Sequence, residues 1–172
     1  MIGGAAGALL CVAAGLAAGM AVRERGEARY QQEHQTQDML ARLRLMITQE
    51  RLGLCELLEE CTARQEGCMA QRFRTTAALM RKEPLLALGA AYRQAEMQHR
   101  CPGEKQCERT ALRQLFDELG TGTAAMREQA AAACLRRLKP VAEEVEKRRQ
   151  TGGKLCVQLG LLAGIMAGIM LW

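Results

Sequence analysis

Charged side chains are missing from both ends of this chain, and histidine, proline and aromatic residues are scarce throughout. Two histidines, His34 and His99, leave few groups for acid–base or nucleophilic chemistry, which needs convergent polar side chains. His34 lies in a polar run and is expected to be solvated. Glu59 with Glu60, and Glu143 with Glu144, are adjacent on helical segments; neighbours there point about 100° apart and share no site. No Cys-x-x-Cys occurs, so neither a zinc ribbon nor a thioredoxin-type pair is signalled. The glycines near Gly120 have no Gly-Lys-Ser/Thr after them, which excludes a phosphate-binding loop. One Trp, two Tyr and two Phe accompany a net charge of +5. Nucleic-acid surfaces usually add stacking aromatics or a recognisable motif to their basic patches, so no nucleic-acid partner is expected. No stretch alternates apolar and polar residues with β-branched side chains, and no sheet is predicted.

What the chain does have is a sharp partition. All 24 basic and 19 acidic residues lie within 23–154. At about 1.5 Å per residue, residues 1–22 reach roughly 33 Å and residues 155–172 roughly 27 Å, against a hydrocarbon core of about 30 Å. Both ends are predicted to be transmembrane helices, with Trp172 at a lipid–water boundary. A cleaved signal peptide ending near Ala21 is the alternative for the first, but nothing basic precedes its apolar run. The organisation expected is a transmembrane helix over 1–22, a cytosolic helical bundle over 23–153 and a second transmembrane helix over 154–172.

Gly3, Gly7, Gly15 and Gly19 recur at multiples of four, with Cys11 between them, and so do Gly160, Gly164 and Gly168. Residues four apart share a helix face, so each end presents a strip on which another backbone can approach closely. Glycine costs about 1 kcal/mol against alanine in a helix, and propensity does not explain such a series. The strip's partner is the other span, a second copy of the chain or another protein. Arg23, Arg25 and Arg29 follow the first end, and Lys147, Arg148, Arg149 and Lys154 precede the second. The positive-inside rule then sets the middle of the chain in the cytoplasm, with these cations beside anionic lipid headgroups.

The middle is helical in its periodicity. Leu40, Leu43, Ile47, Leu54, Leu57 and Cys61 follow a three-four spacing, and Phe73, Ala77 and Met80 continue it. Pro84 suits the first position of a further helix carrying Leu85, Leu88, Tyr92 and Ala95. A loop is predicted over 99–106, marked by Cys101, Pro102 and Gly103. The next helix carries Ala111, Leu112, Leu115, Phe116 and Leu119 and stops at Gly120, with Thr123 capping the last one. That helix runs through Met126, Ala130, Ala133, Leu138, Val141 and Val145, with a kink expected at Pro140 and a loosened join at Gly152 and Gly153. The fold class expected is all-α, a bundle of about four to six helices between the two spans.

Of the eight cysteines, Cys11 and Cys156 fall in the spans. Cys55, Cys61, Cys68 and Cys134 are expected as small buried hydrophobes, and no disulfide is expected in a reducing cytoplasm. His99, Cys101 and Cys107 could together hold a metal, which would make the chain a membrane-anchored metal or redox sensor. An anionic lipid-binding membrane module is a further alternative. Neither a catalytic residue nor a cofactor is predicted.

The carboxy-terminal third carries a resemblance. Leu115, Phe116, Asp117, Glu118, Leu119 and Gly120 are followed by a long helix with Gln129, Leu135 and Leu138, then by Lys-Leu-Cys-Val-Gln-Leu-Gly-Leu-Leu-Ala-Gly over 154–164. This resembles the stage III sporulation protein AB family of endospore-forming Firmicutes, in which a leucine-glycine helix stop leads through a long helix into a glycine-patterned membrane segment. Cys156 stands where that family usually has an aromatic. The resemblance implies a non-enzymatic scaffold in the channel machinery between mother cell and forespore. It also implies a cytosolic bundle similar to the F-type platform proteins of type II secretion and type IV pilus systems. The implied partners are a secretion-type ATPase and other membrane subunits of that complex, with a homo-oligomer possible and the mother-cell membrane as its location.

Overall fold

The computed structural model describes the backbone of residues 2–48 and 53–170, and the side chains of 13–15, 17–48 and 53–149 together with Leu162 and Met166. Six helices follow in order: α1 (Ile2–Thr48), α2 (Leu54–Thr62), α3 (Cys68–Lys82), α4 (Leu88–Gln98), α5 (Gln106–Thr121) and α6 (Ala124–Met170). No strand occurs among the described residues, in keeping with the all-α expectation. The chain divides into two compact units, one of Met1–Gln31 with Glu143–Trp172 and one of Gln32–Ala142.

The unit Gln32–Ala142 is a helical bundle, and the three-four spacing read from the sequence is its core. Leu40, Leu43, Ile47, Leu57 and Cys61 are buried, with Leu54 packed against them. In sequence that seam is a single series; in the structure it crosses from α1 to α2. Helix α2 packs on α3, α3 on α4 and α4 on α5, so each short helix buries its apolar stripe against its chain neighbour. Ala130, Ala131, Cys134 and Leu138 of α6 join the same core. Three of the chain's few aromatics meet at the centre. Tyr92 stacks on Phe116 with ring centroids 4.0 Å apart, and Phe73 meets Phe116 edge-on at 5.0 Å. The edge-on geometry suits the quadrupoles of the rings.

Turn chemistry explains the breaks. Gly67 precedes α3 with φ 110° and Gly103 turns the 99–105 segment with φ 73°, a region that side chains with a Cβ rarely adopt. Helix α4 ends at Gln98 and α5 begins at Gln106, as the Cys101, Pro102 and Gly103 signal predicts.

Three expectations need correction. Leu85 is not part of the α4 seam: it is fully exposed, 102% of its reference area. Residues 83–86 form a turn closed by the Leu86 N–H on the Glu83 carbonyl at 2.9 Å, and α4 starts only at Leu88. Met126 is likewise exposed, because it lies in the first turn of α6. The join at Gly152 and Gly153 is not loosened; α6 runs through both, and through Pro140 as well. Pro140 and Arg136 are exposed, so the carbonyl that loses its donor to proline faces solvent. About 1 kcal/mol per glycine is too little to interrupt a helix laddered on both sides.

Among the described residues no helix is long and apolar enough to cross a membrane. The side chains of most of 1–22 and 155–172, where the spans are predicted, lie outside the described set. In the unit built from Met1–Gln31 and Glu143–Trp172, Gly19 and Val145 are buried and Gly15 is half-buried.

Candidate functional site

The chemistry-bearing groups of the bundle are gathered around one buried arginine that sequence reasoning missed. Arg72 lies in the seam register of α3 beside Phe73, and its side chain has no exposed surface. Its guanidinium grips the segment after α4. Nη1 and Nη2 donate to the two carboxylate oxygens of Glu104 at 2.7 and 2.9 Å, while Nε and Nη2 donate to the His99 carbonyl at 3.1 and 2.9 Å. Nη1 also donates to the Tyr92 hydroxyl at 3.1 Å. Such a planar fork satisfies a carboxylate with two parallel bonds, which a lysine could not do. Burial works against the Arg72 charge, but Glu104 and Tyr92 outweigh it and the cation is held more firmly than usual. Burial raises the Tyr92 phenol well above its ordinary range, with Arg72 pulling the other way. The phenol is a neutral donor and acceptor, not a base.

Around this core lies a second shell of charge. Glu96 is nearly buried and accepts from Arg113 Nε at 2.7 Å. Arg109 Nε lies 3.0 Å from Glu96 and 3.6 Å from Glu104, close enough for ion pairs but not aligned for a hydrogen bond. Glu96 faces Arg109 and Arg113, and Glu104 faces Arg72 and Arg109, so the cluster ties α3, α4 and α5 to the segment after α4.

The three residues weighed as metal ligands are not brought together. The sulfurs of Cys101 and Cys68 are joined, with their Cα atoms 5.5 Å apart, within the usual disulfide span. His99 Nε2 is hydrogen-bonded to the Thr75 hydroxyl at 2.9 Å, and Cys107 is exposed. Among the described residues no group of three His, Cys, Asp or Glu side chains could hold a metal. The expectation of no disulfide is thereby corrected. Compartment chemistry says nothing about which sulfurs a fold brings into contact, and these two are 33 residues apart. Cys61 and Cys134 are buried as expected, and desolvation pushes each thiol up to about 12.

A groove of about 490 Å³ opens between the start of α4 and the end of α5, lined by Ala87, Leu88, Gly89, Asp117, Gly120 and their neighbours. The helices approach closely beside it: a Cβ on Gly89 would lie 1.7 Å from Asp117 Oδ1 and 3.3 Å from Asp117 Cα. Asp117 pairs with Arg93 at 2.9 Å. Gly89→Ala must eject that carboxylate and crowd the backbone, a cost of about 1–3 kcal/mol, set against about 1 kcal/mol of helix propensity gained. The variant is expected to melt lower than the parent, and adding Asp117→Ala should recover most of the loss. A Gly89→Ala protein as stable as the parent would show that α4 and α5 are not this close.

Of the cations expected beside the membrane, Arg23 and Arg25 are exposed and Arg29 is half-buried. Arg148 pairs with Glu144 at 2.8 Å. Arg149 pairs with Glu27 at 2.8 Å and sits 4.3 Å from the centre of the Tyr30 ring. Lys147 is exposed. The side chain of Lys154 and the surroundings of Gly3, Gly7, Gly160, Gly164 and Gly168 lie outside the described residues.

A family model described as stage III sporulation protein AB matches residues 4–172. The chain belongs to that family. The match takes in both charge-free ends as well as the bundle, so the resemblance carried by 115–120 and 154–164 extends over nearly the whole chain. Comparison with curated proteins and with solved structures gives no match. The family is one of sporulation stage III proteins.

Proposed function

We propose that the chain is a membrane platform subunit of the stage III sporulation complex, acting as a scaffold and not as an enzyme. Its two ends span the mother-cell membrane facing the forespore, and the bundle stands in the cytoplasm as a docking surface for a secretion-type ATPase and other membrane subunits. The observation that carries this reading is the family match over 4–172, because it binds the charge-free ends and the bundle into one unit of descent. Two further features support it. Buried Arg72 and Glu104 are paired with each other, and uncharged residues 1–22 and 155–172 have the length and glycine spacing of packed membrane helices.

In this reading the spans associate through Gly3, Gly7, Gly15 and Gly19 and through Gly160, Gly164 and Gly168. Replacing Gly164 with isoleucine places a branched side chain where a backbone should approach. Recovery of the complex in detergent from sporulating cells is expected to fall at least tenfold, with the bundle's melting transition unchanged. Undiminished recovery would remove the glycine strips from the assembly. The topology is tested by protease added outside intact cells: digestion of 23–153 from that side, or a mature protein trimmed near Ala21, contradicts the platform.

A further inference from the structure

Residues 99–105 connect α4 to α5 without regular structure, yet Cys101 is buried and the Glu104 side chain has no exposed surface. A segment of this composition (histidine, arginine, proline, glycine, glutamate, lysine) has little apolar surface with which to hold itself down. Most of its fastenings come from α3, with Arg109 of α5 adding a looser ion pair to Glu104 at 3.6 Å. Cys68, Arg72 and Thr75 stand at i, i+4 and i+7 of α3, which is one face of a helix, and each takes a different part of the segment. Cys68 is bonded to Cys101, Arg72 grips the His99 carbonyl and the Glu104 carboxylate, and Thr75 meets the His99 ring.

We propose that the Cys68–Cys101 pair is a redox-operated latch on the 99–105 segment. Arg72 and Thr75 are the non-covalent clasps that keep the bundle intact when the latch opens. Two of the three fastenings do not depend on redox state, and the core of α1, α5 and α6 lies outside the closed loop's ends, so the bond is not needed to assemble the fold. It sits where α3 begins: Cys68 is half-buried and is the first residue of that helix, while Cys101 is buried. A thiolate released there lies in the first turn of a helix, where the dipole favours negative charge. The resting state rests on the cytoplasmic placement proposed above: in a reducing compartment disulfides are rare and those that form are transient and redox-sensing, so the resting latch is open and oxidation closes it.

Opening is thiol–disulfide exchange with a low-molecular-weight thiol. One thiolate attacks a sulfur of the pair, forming a mixed disulfide and releasing the other cysteine as thiolate. A second thiolate attacks the mixed disulfide, freeing the remaining cysteine and leaving as the oxidised dimer of the reductant. Two electrons and two protons pass to Cys68 and Cys101. Closing is the reverse with the oxidised dimer as acceptor. Cys61 and Cys134 are suited to stay out of the exchange, since both are buried with their thiols pushed up to about 12; Cys107 is exposed and can take a glutathione of its own.

The test uses the full chain in detergent, poised with reduced or oxidised glutathione, and is independent of the platform reading. Peptide mass spectrometry without reductant should find Cys68 linked to Cys101 in the oxidised sample, with Cys107 linked to neither of them in either sample. Hydrogen exchange over 99–105 should be at least fivefold slower when oxidised, return on reduction, and leave 112–119 unchanged. The Cys68→Ser/Cys101→Ser double variant should show the fast rate under both conditions. The proposal is overturned if no link forms in oxidised glutathione. It is also overturned if the link changes loop exchange by less than fivefold, or if reduction raises exchange in 112–119 as well, which marks a structural staple.

Discussion

Arg72→Leu is expected to cost the bundle about 3–5 kcal/mol, the largest loss foreseen for any single substitution that leaves the apolar core untouched. The figure follows from what remains behind. Neither Arg72 nor Glu104 has exposed side-chain surface, so the leucine leaves a buried carboxylate with only Arg109, 3.6 Å away and not aligned for a hydrogen bond, as counter-charge, and strips the His99 carbonyl of two donors. A domain of this kind has only about 5–15 kcal/mol in total, so a large share of the variant should be unfolded. Glu104→Gln should also destabilise, because it leaves a buried guanidinium facing a neutral amide. The decisive comparison is the double variant Arg72→Leu/Glu104→Leu. Removing both charges together relieves the stranded partner, so its loss should be well below the sum of the two single losses. Additive losses, or an Arg72→Leu protein unfolding at the parent's denaturant midpoint, would show that the pair is not buried as described.

Phe116→Ala is expected to destabilise the bundle by about 3–5 kcal/mol, the range for emptying a buried aromatic position. Phe116 is fully buried and touches both other rings of the centre, Tyr92 at 4.0 Å and Phe73 at 5.0 Å between centroids. Helices α3, α4 and α5 each contribute one ring, so the cavity left by alanine borders three elements at once and none can close it alone. Because Tyr92 also accepts from Arg72, the loss should propagate to the 99–105 segment and speed its hydrogen exchange. Phe116→Leu keeps most of the volume and should lose distinctly less. Denaturant unfolding followed by exchange or near-ultraviolet tyrosine signals is the proper measure. A Phe116→Ala loss under about 1 kcal/mol would contradict the central placement of the triad.

The extent to which such features could be foreseen differs by element. The stop of α4 at Gln98 and the start of α5 at Gln106 were legible because proline and glycine act locally on the backbone. The buried faces of α1, α2 and α5 were legible because Leu40, Leu43, Ile47, Leu57, Leu112, Leu115 and Leu119 repeat at the helical period. Leu85 misled for the same reason: it fits the period, but the turn at 83–86 takes it out of the helix before periodicity can act. Arg72 left one trace, a seam position between Met69 and Thr76, where a charge requires a partner that no local pattern names. The Cys68–Cys101 contact left none, since spacing among eight cysteines does not specify pairing.

From its residues alone the chain could be read as all-helical, free of charge at both ends and patterned like the stage III sporulation protein AB family. Each of those properties is a sum over local preferences or a run of neighbouring side chains. Which carboxylate meets Arg72, which sulfur meets Cys68 and which aromatics share the centre emerged only when the helices were packed. Those contacts join residues 24 to 43 positions apart, and over such separations the chain's path through space, not its local propensities, decides what touches what.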